Sequence, residues 1–194
     1  YHLCKNDQKG MGMTINGGMA EQILVPEHCL IQLDKKVNLN DACLVEPLAV
    51  AMHGFIRTQT KPGHRIAVIG GGAIGLSAVA AAKFIGCEVD LHARYDHQKE
   101  AGEKLGAGLL NGLYDRVIDC VGTKETLKLS SQTAKPGSWI VLLGIPLEGI
   151  VLPGLKMIMN EIKLFPSIMY GSSSGVKDFE EAAKLIALNP IIGE

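Results

Sequence analysis

The stretch IAVIGGGAIG, residues 66–75, decides the expected fold. Four apolar residues run directly into a G-x-G-x-x-G motif, and the alanine-rich stretch that follows continues to Ile85. This order predicts a strand, a tight turn and a helix. Because a strand enters the motif and a helix leaves it, the motif predicts a dinucleotide site more strongly than it would in isolation. The alternative is a strand–helix turn that holds no ligand.

The residues of the motif have different expected tasks. Gly70 permits the tight turn, Gly72 has no side chain to keep a pyrophosphate from the backbone, and Gly75 lets the helix pack closely on the strand. Ala73 and Ile74 open the helix. Their free N–H groups and the positive end of the helix dipole are therefore expected to face the phosphates.

Strands and helices alternate along the rest of the chain. Strands are predicted at 66–70, 89–93, 116–121, 139–143 and 164–170, and helices at 73–85, 98–105, 124–133 and 178–188. Such alternation requires right-handed crossovers, so we predict an α/β fold with a doubly wound parallel sheet. Upstream, residues 20–33 are expected to form short strands, and Asn40 or Asp41 to cap a helix over 42–55. The serine-rich segment 171–175 is expected to be a loop.

Composition and charge exclude several classes of protein. The 194 residues carry 19 Lys or Arg and 20 Asp or Glu, and the net charge of −1 gives no general attraction to nucleic acid or an anionic membrane. No apolar run approaches the roughly 20 residues that span a bilayer. Five cysteines, odd in number and without C-x-x-C spacing, favour a reducing compartment. We therefore predict a cytoplasmic protein with neither a nucleic acid nor a membrane partner.

The end of the second strand predicts which dinucleotide binds. An NAD site places Asp or Glu there to bind the ribose 2′-OH, whereas this chain has Ala93 followed by Arg94. A small residue and an arginine leave room for a 2′-phosphate and supply a cation to bind it. Asp90 lies too early in the strand, His97 is a second candidate phosphate contact, and Tyr95 is a candidate to flank the adenine. The expected cofactor is NADP(H), with NAD as the alternative if Arg94 is only a solvated surface residue.

Several stretches together resemble one enzyme family. They are GGMAE (17–21), VEPLAV (45–50), the glycine motif, VIDCVG (117–122) and KPG (135–137). The chain resembles the zinc-dependent medium-chain alcohol dehydrogenases, in particular the branch of threonine and polyol dehydrogenases, over nearly its whole length. The resemblance implies a Rossmann cofactor domain and a GroES-like catalytic domain. It divides the chain into a remnant of the catalytic domain (1–40), a connecting helix (41–60), the Rossmann domain (61–175) and a truncated C-terminal helix (176–194).

The resemblance also implies a catalytic zinc in the complete enzyme, where the metal polarises the substrate alcohol. Glu46 matches a position that supplies a zinc ligand or bonds the zinc-bound water, so it is the candidate catalytic and metal-site residue. The alternative is a glutamate stabilised by the N-terminus of its helix. Cys4 matches the last cysteine of a structural zinc lobe. The Cys and His ligands of the catalytic zinc are expected in a part of the enzyme that this chain lacks.

Further cofactor contacts are expected where the later strands end, because ligands bind beyond the carboxyl ends of such strands. Val121 and Gly122 are predicted to pass near the adenine ribose. Leu143, Gly144 and Ile145 are predicted to approach the nicotinamide. For Val121 and Leu143, a plain core role is the alternative.

The predicted function is that of a fragment of a zinc-dependent oxidoreductase, which transfers hydride between an alcohol or polyol and NADP(H). Such a chain is expected to bind the dinucleotide but not to transfer hydride efficiently. The alternatives are a non-catalytic dinucleotide-sensing module and a zinc-free quinone-reductase-like enzyme, against which Glu46 counts. The resemblance also places Tyr170 and Gly171 near the nicotinamide. It implies a homodimer or tetramer paired through the last strand, where Pro166 fits an open edge.

Overall fold

The computed structural model describes residue 3 and residues 10–146, 149–173 and 175–193. Its central sheet contains β1 (Arg65–Ile69), β2 (Glu88–His92), β3 (Gly108–Leu109), β4 (Tyr114–Asp119), β5 (Ala134–Leu142) and β6 (Lys163–Pro166). The described helices are α1 (Val45–Arg57), α2 (Ala73–Ile85), α3 (Asp96–Lys104), α4 (Lys124–Thr133), α5 (Gly154–Met159) and α6 (Asp178–Leu188). Short 3₁₀ helices lie at Glu27–Cys29, Ala42–Leu44 and Pro190–Gly193, and β7 (Ser172–Ser173) pairs antiparallel with β8 (Val176–Lys177).

The six-stranded sheet has the strand order β3-β2-β1-β4-β5-β6, and every neighbouring pair is parallel. The order changes direction between β1 and β4, which is the switch point of a Rossmann sheet. The register keeps the carboxyl ends level, since Ile69 lies opposite both His92 and Asp119, and Asp119 lies opposite Leu142. The predicted doubly wound α/β fold is confirmed, and the segments that follow these strands meet at one edge.

Helices cover both faces of the sheet. Ile66 and Val68 of β1 are buried in a cluster with α1, α2 and α6, whereas Ala67 and Ile69 face a second cluster that includes Leu129 of α4. Successive side chains of a strand point to opposite faces, so a continuous apolar run is what a doubly covered strand requires. This packing fixes α2 against β1 and holds its first turn at the carboxyl edge of the sheet.

Several predicted elements are confirmed with the same bounds, namely the helices over 73–85, 124–133 and 178–188. The first two strands lie one residue earlier than predicted. β5 is longer than predicted because it begins at Ala134, which pairs with Tyr114 across a shift of register. β6 is shorter because Ser167 donates its N–H to Leu142, the last residue of β5, and the partner strand goes no further.

Other predictions for secondary structure were wrong. Residues 20–33 contain the 3₁₀ helix Glu27–Cys29 but no strand, because no described strand lies beside them to complete a ladder. The segment 171–175, expected as a loop, contains β7. Asp41 precedes a 3₁₀ turn and its side chain makes no capping hydrogen bond, so α1 begins only at Val45. The two-residue β3 and the six-residue α5 were not predicted.

Two findings concern the environment of the chain. Within the described ranges, no helix combines the length and the hydropathy that crossing a bilayer demands. The cysteines in those ranges are free thiols: Cys29, Cys43, Cys87 and Cys120. Cys4 lies outside the described residues.

Candidate functional site

The turn between β1 and α2 has a backbone that depends on its three motif glycines. Gly70 has φ of +104°, and a Cβ there would lie 2.6 Å from Cγ2 of Val121. Gly72 is the N-cap of α2, and a Cβ on it would meet no atom within 4 Å. A Cβ on Gly75 would overlap the carbonyl oxygen of Gly70. The turn is therefore tight at Gly70 and Gly75 and open at Gly72.

A fourth glycine, which the sequence reasoning missed, closes the turn against the end of β2. A Cβ on Gly71 would lie 2.7 Å from Cβ of Ala93 and 2.8 Å from Cβ of Gln98. Ala93 itself is buried beneath the turn. Because a larger residue at position 93 would push against Gly71, the small side chain that the sequence shows there is also a packing requirement.

A cavity of about 350 Å³ opens at this turn. Its lining comes from three segments of the carboxyl edge: Gly70, Gly71, Gly72, Ala73, Ile74, Gly75, Arg94, Tyr95, Gln98, Cys120 and Val121. The structure thus brings the predicted glycine turn together with Arg94, Tyr95 and Val121. Gln98 and Cys120 were not predicted as lining residues, because only the packing of α3 and the level ends of β1 and β4 bring them here.

A larger hollow of about 920 Å³ lies elsewhere, between residues 30–35 and α6. Its lining mixes apolar side chains with five polar or charged ones, among them the carboxylates Asp34 and Glu180, and it contains neither the glycine turn nor Arg94. The smaller cavity is the better candidate site, because the free N–H groups at the start of α2 point to an anion.

The residues after β2 form a short aromatic and cationic row. The guanidinium of Arg94 lies 5.5 Å from the ring centre of Tyr95, and the Tyr95 ring stacks on His97 at 5.7 Å. His97 is exposed and is not part of the cavity lining. Asp90 lies inside β2, where its Oδ2 accepts hydrogen bonds from Tyr114 and Arg65 at 2.8 and 3.3 Å. No carboxylate therefore stands at the end of β2.

The segments after β4 and β5 contact each other through two glycines. A Cβ on Gly122, whose φ is +83°, would lie 3.1 Å from the carbonyl oxygen of Gly144. Val121 reaches the cavity, whereas Leu143 is buried and Ile145 is 72% exposed beside it. Of the residues predicted at these strand ends, only Val121 lines the cavity itself; Gly122, Leu143, Gly144 and Ile145 lie next to it.

Glu46 lies in the first turn of α1 and is exposed. Burial raises the pKa of Tyr170, and the negative charge of Glu46 raises it further. The described residues contain no group of three His, Cys, Asp or Glu side chains that would hold a metal ion. Glu46 is therefore not part of a zinc site built from the described residues alone.

His53 and Tyr170 make contacts that join separate helices and segments. His53 of α1 is buried, and its Nδ1 lies 2.7 Å from Oδ2 of Asp178, the first residue of α6. The same oxygen accepts a hydrogen bond of 2.7 Å from the N–H of Gly171. The ring of Tyr170 packs on Phe179 with a centroid distance of 4.6 Å. Asp178 therefore joins α1, α6 and the segment after β6.

The strand order, together with a glycine turn at the start of α2, defines a Rossmann-type domain, the class in which dinucleotides bind at this edge. The sequence model described as zinc-binding dehydrogenase matches residues 73–187. This chain belongs to the zinc-binding dehydrogenase family.

Individual relatives agree with this assignment. The chain is 30% identical to an uncharacterized zinc-type alcohol dehydrogenase-like protein of Haemophilus influenzae, over 97% of this chain and 58% of the relative. It is 28% identical to the 2-dehydro-3-deoxy-L-galactonate 5-dehydrogenase of Pseudoalteromonas atlantica, over 98% and 59%. A Sinorhizobium meliloti protein, described as a zinc-binding dehydrogenase and bound to NADP, superposes with a TM-score of 0.84 at 28% identity, over 97% and 60%. The chain spans less than two thirds of the length of these relatives.

Proposed function

We propose that this chain binds NADP(H) in the cavity at the start of α2. The observation that carries the proposal is the composition of the lining: a helix N-terminus and one guanidinium face the same space, and the lining contains no carboxylate. A carboxylate is what an NAD site uses to bind the ribose 2′-OH, and it repels a 2′-phosphate. The NADP in the Sinorhizobium meliloti relative supports the same choice.

In this proposal each part of the cavity binds a different part of the dinucleotide. The pyrophosphate lies over Gly72, where no side chain intervenes, and accepts hydrogen bonds from the first N–H groups of α2. Arg94 pairs with the 2′-phosphate, and Tyr95 flanks the adenine. The segment after β4 passes near the adenine ribose and the segment after β5 approaches the nicotinamide, since ligands of such sheets lie beyond the carboxyl ends of the strands at the switch point.

A calorimetric titration with NADPH and NADH at one salt concentration tests the proposal. We expect tighter binding of NADPH, and we expect Arg94→Ala to weaken NADPH binding by about tenfold, the loss typical of one charge-assisted contact. NADH binding should stay within about threefold, because it has no 2′-phosphate.

Lys104→Ala is the matched control, since it removes one positive charge from the exposed end of α3, away from the cavity lining. Equal losses in the two variants would show a general charge effect. Tighter binding of NADH by the wild-type chain would contradict the phosphate role of Arg94, and binding of neither dinucleotide would contradict the proposed site.

For the complete protein we propose a dehydrogenase that transfers hydride between an alcohol or polyol and NADP(H). One sequence relative is a dehydrogenase and the other a dehydrogenase-like protein, which supports this reaction class. Glu46 is our proposed zinc-site residue, with the remaining ligands outside this chain. Because the described residues form no metal site, the mechanism proposed for this chain is restricted to binding and orienting the dinucleotide.

We further propose that the protein is cytoplasmic and forms dimers through β6. The free thiols among the described residues support a reducing compartment. β6 is the edge strand of the sheet, and exposed apolar side chains lie near it along the chain, among them Ile158, Ile168 and Met169. A strand edge without a partner, next to exposed apolar side chains, favours pairing with a second copy of the chain.

We also propose that the Rossmann domain runs from residue 61 to residue 175.

A further inference from the structure

Asp119 is the last residue of β4, and its side chain is fully buried. Its Oδ1 accepts hydrogen bonds from the backbone N–H groups of Val121 and Gly122, at 3.0 and 2.9 Å. Its Oδ2 accepts a hydrogen bond of 3.1 Å from the hydroxyl of Ser130 on α4. A buried carboxylate is tolerated only with such partners, so both oxygens are committed to holding neighbouring segments.

The backbone of the same residue holds the segment after β5. The carbonyl oxygen of Asp119 accepts hydrogen bonds from the N–H groups of Leu143 and Gly144, at 2.9 and 3.0 Å. The next residue, Cys120, donates its N–H to Ile69 at the end of β1. The ends of three strands are thus joined around one residue that itself does not line the cavity.

The segments on either side of Asp119 are in direct backbone contact, so a shift in one is passed to the other. A Cβ on Gly144 would overlap the backbone of Val121, and a Cβ on Gly122 would lie 3.1 Å from the carbonyl oxygen of Gly144. Close-packed backbone has no space in which to absorb a displacement. The side-chain bonds to Val121 and Gly122 therefore also set the place of Gly144.

We propose that Asp119 is a positioning residue, which sets the segment after β4 for the adenine ribose and the segment after β5 for the nicotinamide before the dinucleotide binds. This inference rests on the proposed function. A site held in its binding conformation loses less conformational freedom when the ligand arrives, so affinity depends on residues that never touch the ligand. Arg94 and the first turn of α2 are held by β1, β2 and α2 instead, so the contacts to the 2′-phosphate and the pyrophosphate should depend less on Asp119.

The test compares Asp119→Ala with Asp119→Asn in calorimetric titrations of the full chain. We expect Asp119→Ala to weaken NADPH binding by about 10- to 100-fold, since it removes the three hydrogen bonds that the carboxylate accepts from Val121, Gly122 and Ser130. Binding of adenosine 2′,5′-bisphosphate, which lacks the nicotinamide half, should weaken less, by no more than about threefold, because its 2′-phosphate still pairs with Arg94 and only its ribose lies near Val121. Asparagine keeps an oxygen that accepts from both backbone N–H groups, and its amide N–H donates to the oxygen of the Ser130 hydroxyl. Asp119→Asn should therefore restore most of the affinity.

The outcomes separate this inference from the proposed function. Failure of the wild-type chain to bind NADPH contradicts the proposed function and the inference that rests on it. When the wild-type chain binds NADPH, the variants decide the inference. The inference is overturned if Asp119→Ala binds NADPH normally. It is also overturned if this variant loses both ligands equally, or if asparagine fails to restore binding, because Asp119 then acts only as a general support of the fold.

Hydrogen exchange keeps the inference testable if Asp119→Ala does not fold. In the wild-type chain without ligand, the amide protons of Val121 and Gly122 should exchange at least about 100-fold more slowly than in an unstructured peptide. Free exchange without NADPH, followed by protection only after NADPH is added, would show that the carboxylate does not preset the segment.

Discussion

Among single residues, the glycines of the turn differ in what their missing side chains permit. At Gly75 the absent Cβ leaves room for the carbonyl of Gly70, so the requirement for glycine there comes from packing within the protein. At Gly72 the Cβ position is surrounded by open space, so any constraint there comes from a ligand. The sequence motif treats the two glycines alike, whereas the structure assigns one to folding and leaves the other for binding.

Alanine substitutions should separate these two roles. We expect Gly75→Ala to lower the free energy of unfolding by about 1–3 kcal/mol, because the methyl group forces backbone apart. Gly72→Ala should change it by less than about 0.5 kcal/mol but weaken NADPH binding by about tenfold or more, since the methyl group occupies the path of the pyrophosphate. Urea unfolding and calorimetry measure the two effects.

Gly154→Ala is the control for these variants, because a Cβ on this first residue of α5 also meets no atom within 4 Å. It should leave both stability and binding unchanged. Normal NADPH binding by Gly72→Ala would mean that the pyrophosphate does not pass over this residue.

Single residues also show which parts of the site can be predicted from local sequence alone. Arg94, which lines the cavity, could be proposed from sequence because the end of the second strand is located by counting back from the turn at 104–107. Gly71 and Asp119 were missed because their roles depend on atoms of other segments, namely Ala93 for Gly71 and Ser130 for Asp119. The aspartate in VIDCVG is the signal that was available, since a carboxylate at the end of an apolar strand needs partners.

At the scale of elements, β1, β4 and β5 are joined at their amino-terminal ends through Asp115. Its Oδ2 accepts a hydrogen bond of 2.9 Å from the N–H of Arg65, and its Oδ1 lies 2.7 Å from Nζ of Lys135. Partial burial acts to raise the pKa of Asp115, but the hydrogen bonds from Lys135 and Arg65 outweigh it and lower the pKa below its ordinary value. These contacts therefore favour the charged form in the folded chain.

The lowered pKa predicts how the contribution of Asp115 depends on pH. The stabilisation is fully present above the pKa of the unfolded chain, about 3.9, and is lost as the pH falls through the lower folded value. We expect Asp115→Asn to lower the free energy of unfolding by about 1 kcal/mol at pH 7. The deficit should be the same at pH 5 and should shrink below about pH 4.

Urea unfolding at pH 7, 5 and 3.5 measures this deficit. Glu100→Gln, which neutralises an exposed carboxylate on α3, is the control and should show little effect at any of these values. A deficit for Asp115→Asn that persists unchanged to pH 3.5 would mean that packing, and not charge, is responsible.

Elements also differ in how well the sequence predicts them. Helices α2, α4 and α6 had the expected bounds because a long amphipathic or alanine-rich pattern depends on the segment alone. The strand limits of β5 and β6 depend on where the neighbouring strand begins and ends, which is information that neither segment contains. For the same reason, strand-like residues in 20–33 formed no strand when no partner lay beside them.

At the scale of the whole molecule, the open edge of β6 determines how copies are proposed to assemble. Ser167 donates its N–H to Leu142 of β5. Backbone N–H groups alternate in direction along a strand, so the N–H of Phe165 also points to β5, whereas the backbone at positions 164 and 166 points away from the sheet. Pro166 has no N–H to offer there. The N–H of Leu164 is therefore the outward donor that a second copy needs for pairing.

Leu164→Pro should weaken dimers by removing this donor. We expect a wild-type dimer at micromolar concentration in sedimentation velocity, and a dissociation constant at least about tenfold higher for Leu164→Pro, the loss typical of two symmetry-related hydrogen bonds. Leu164→Val is the matched control because it shortens the side chain but keeps the N–H. A monomeric wild-type chain, or equal dissociation of both variants, would contradict pairing through this edge.

The α/β fold could be predicted from sequence, because the apolar runs, the glycine turn and the helical patterns are local properties that together allow few topologies. The sequence also predicted the candidate phosphate contacts, since Gly70, Gly72, Gly75 and Arg94 stand at fixed distances within one βαβ unit. By contrast, the sequence did not reveal that Gln98 and Cys120 line the same cavity, or that Asp119 and Cys120 together join the ends of three strands. Those contacts join residues from separate elements, and their distances are set by sheet register and packing, which no single segment encodes.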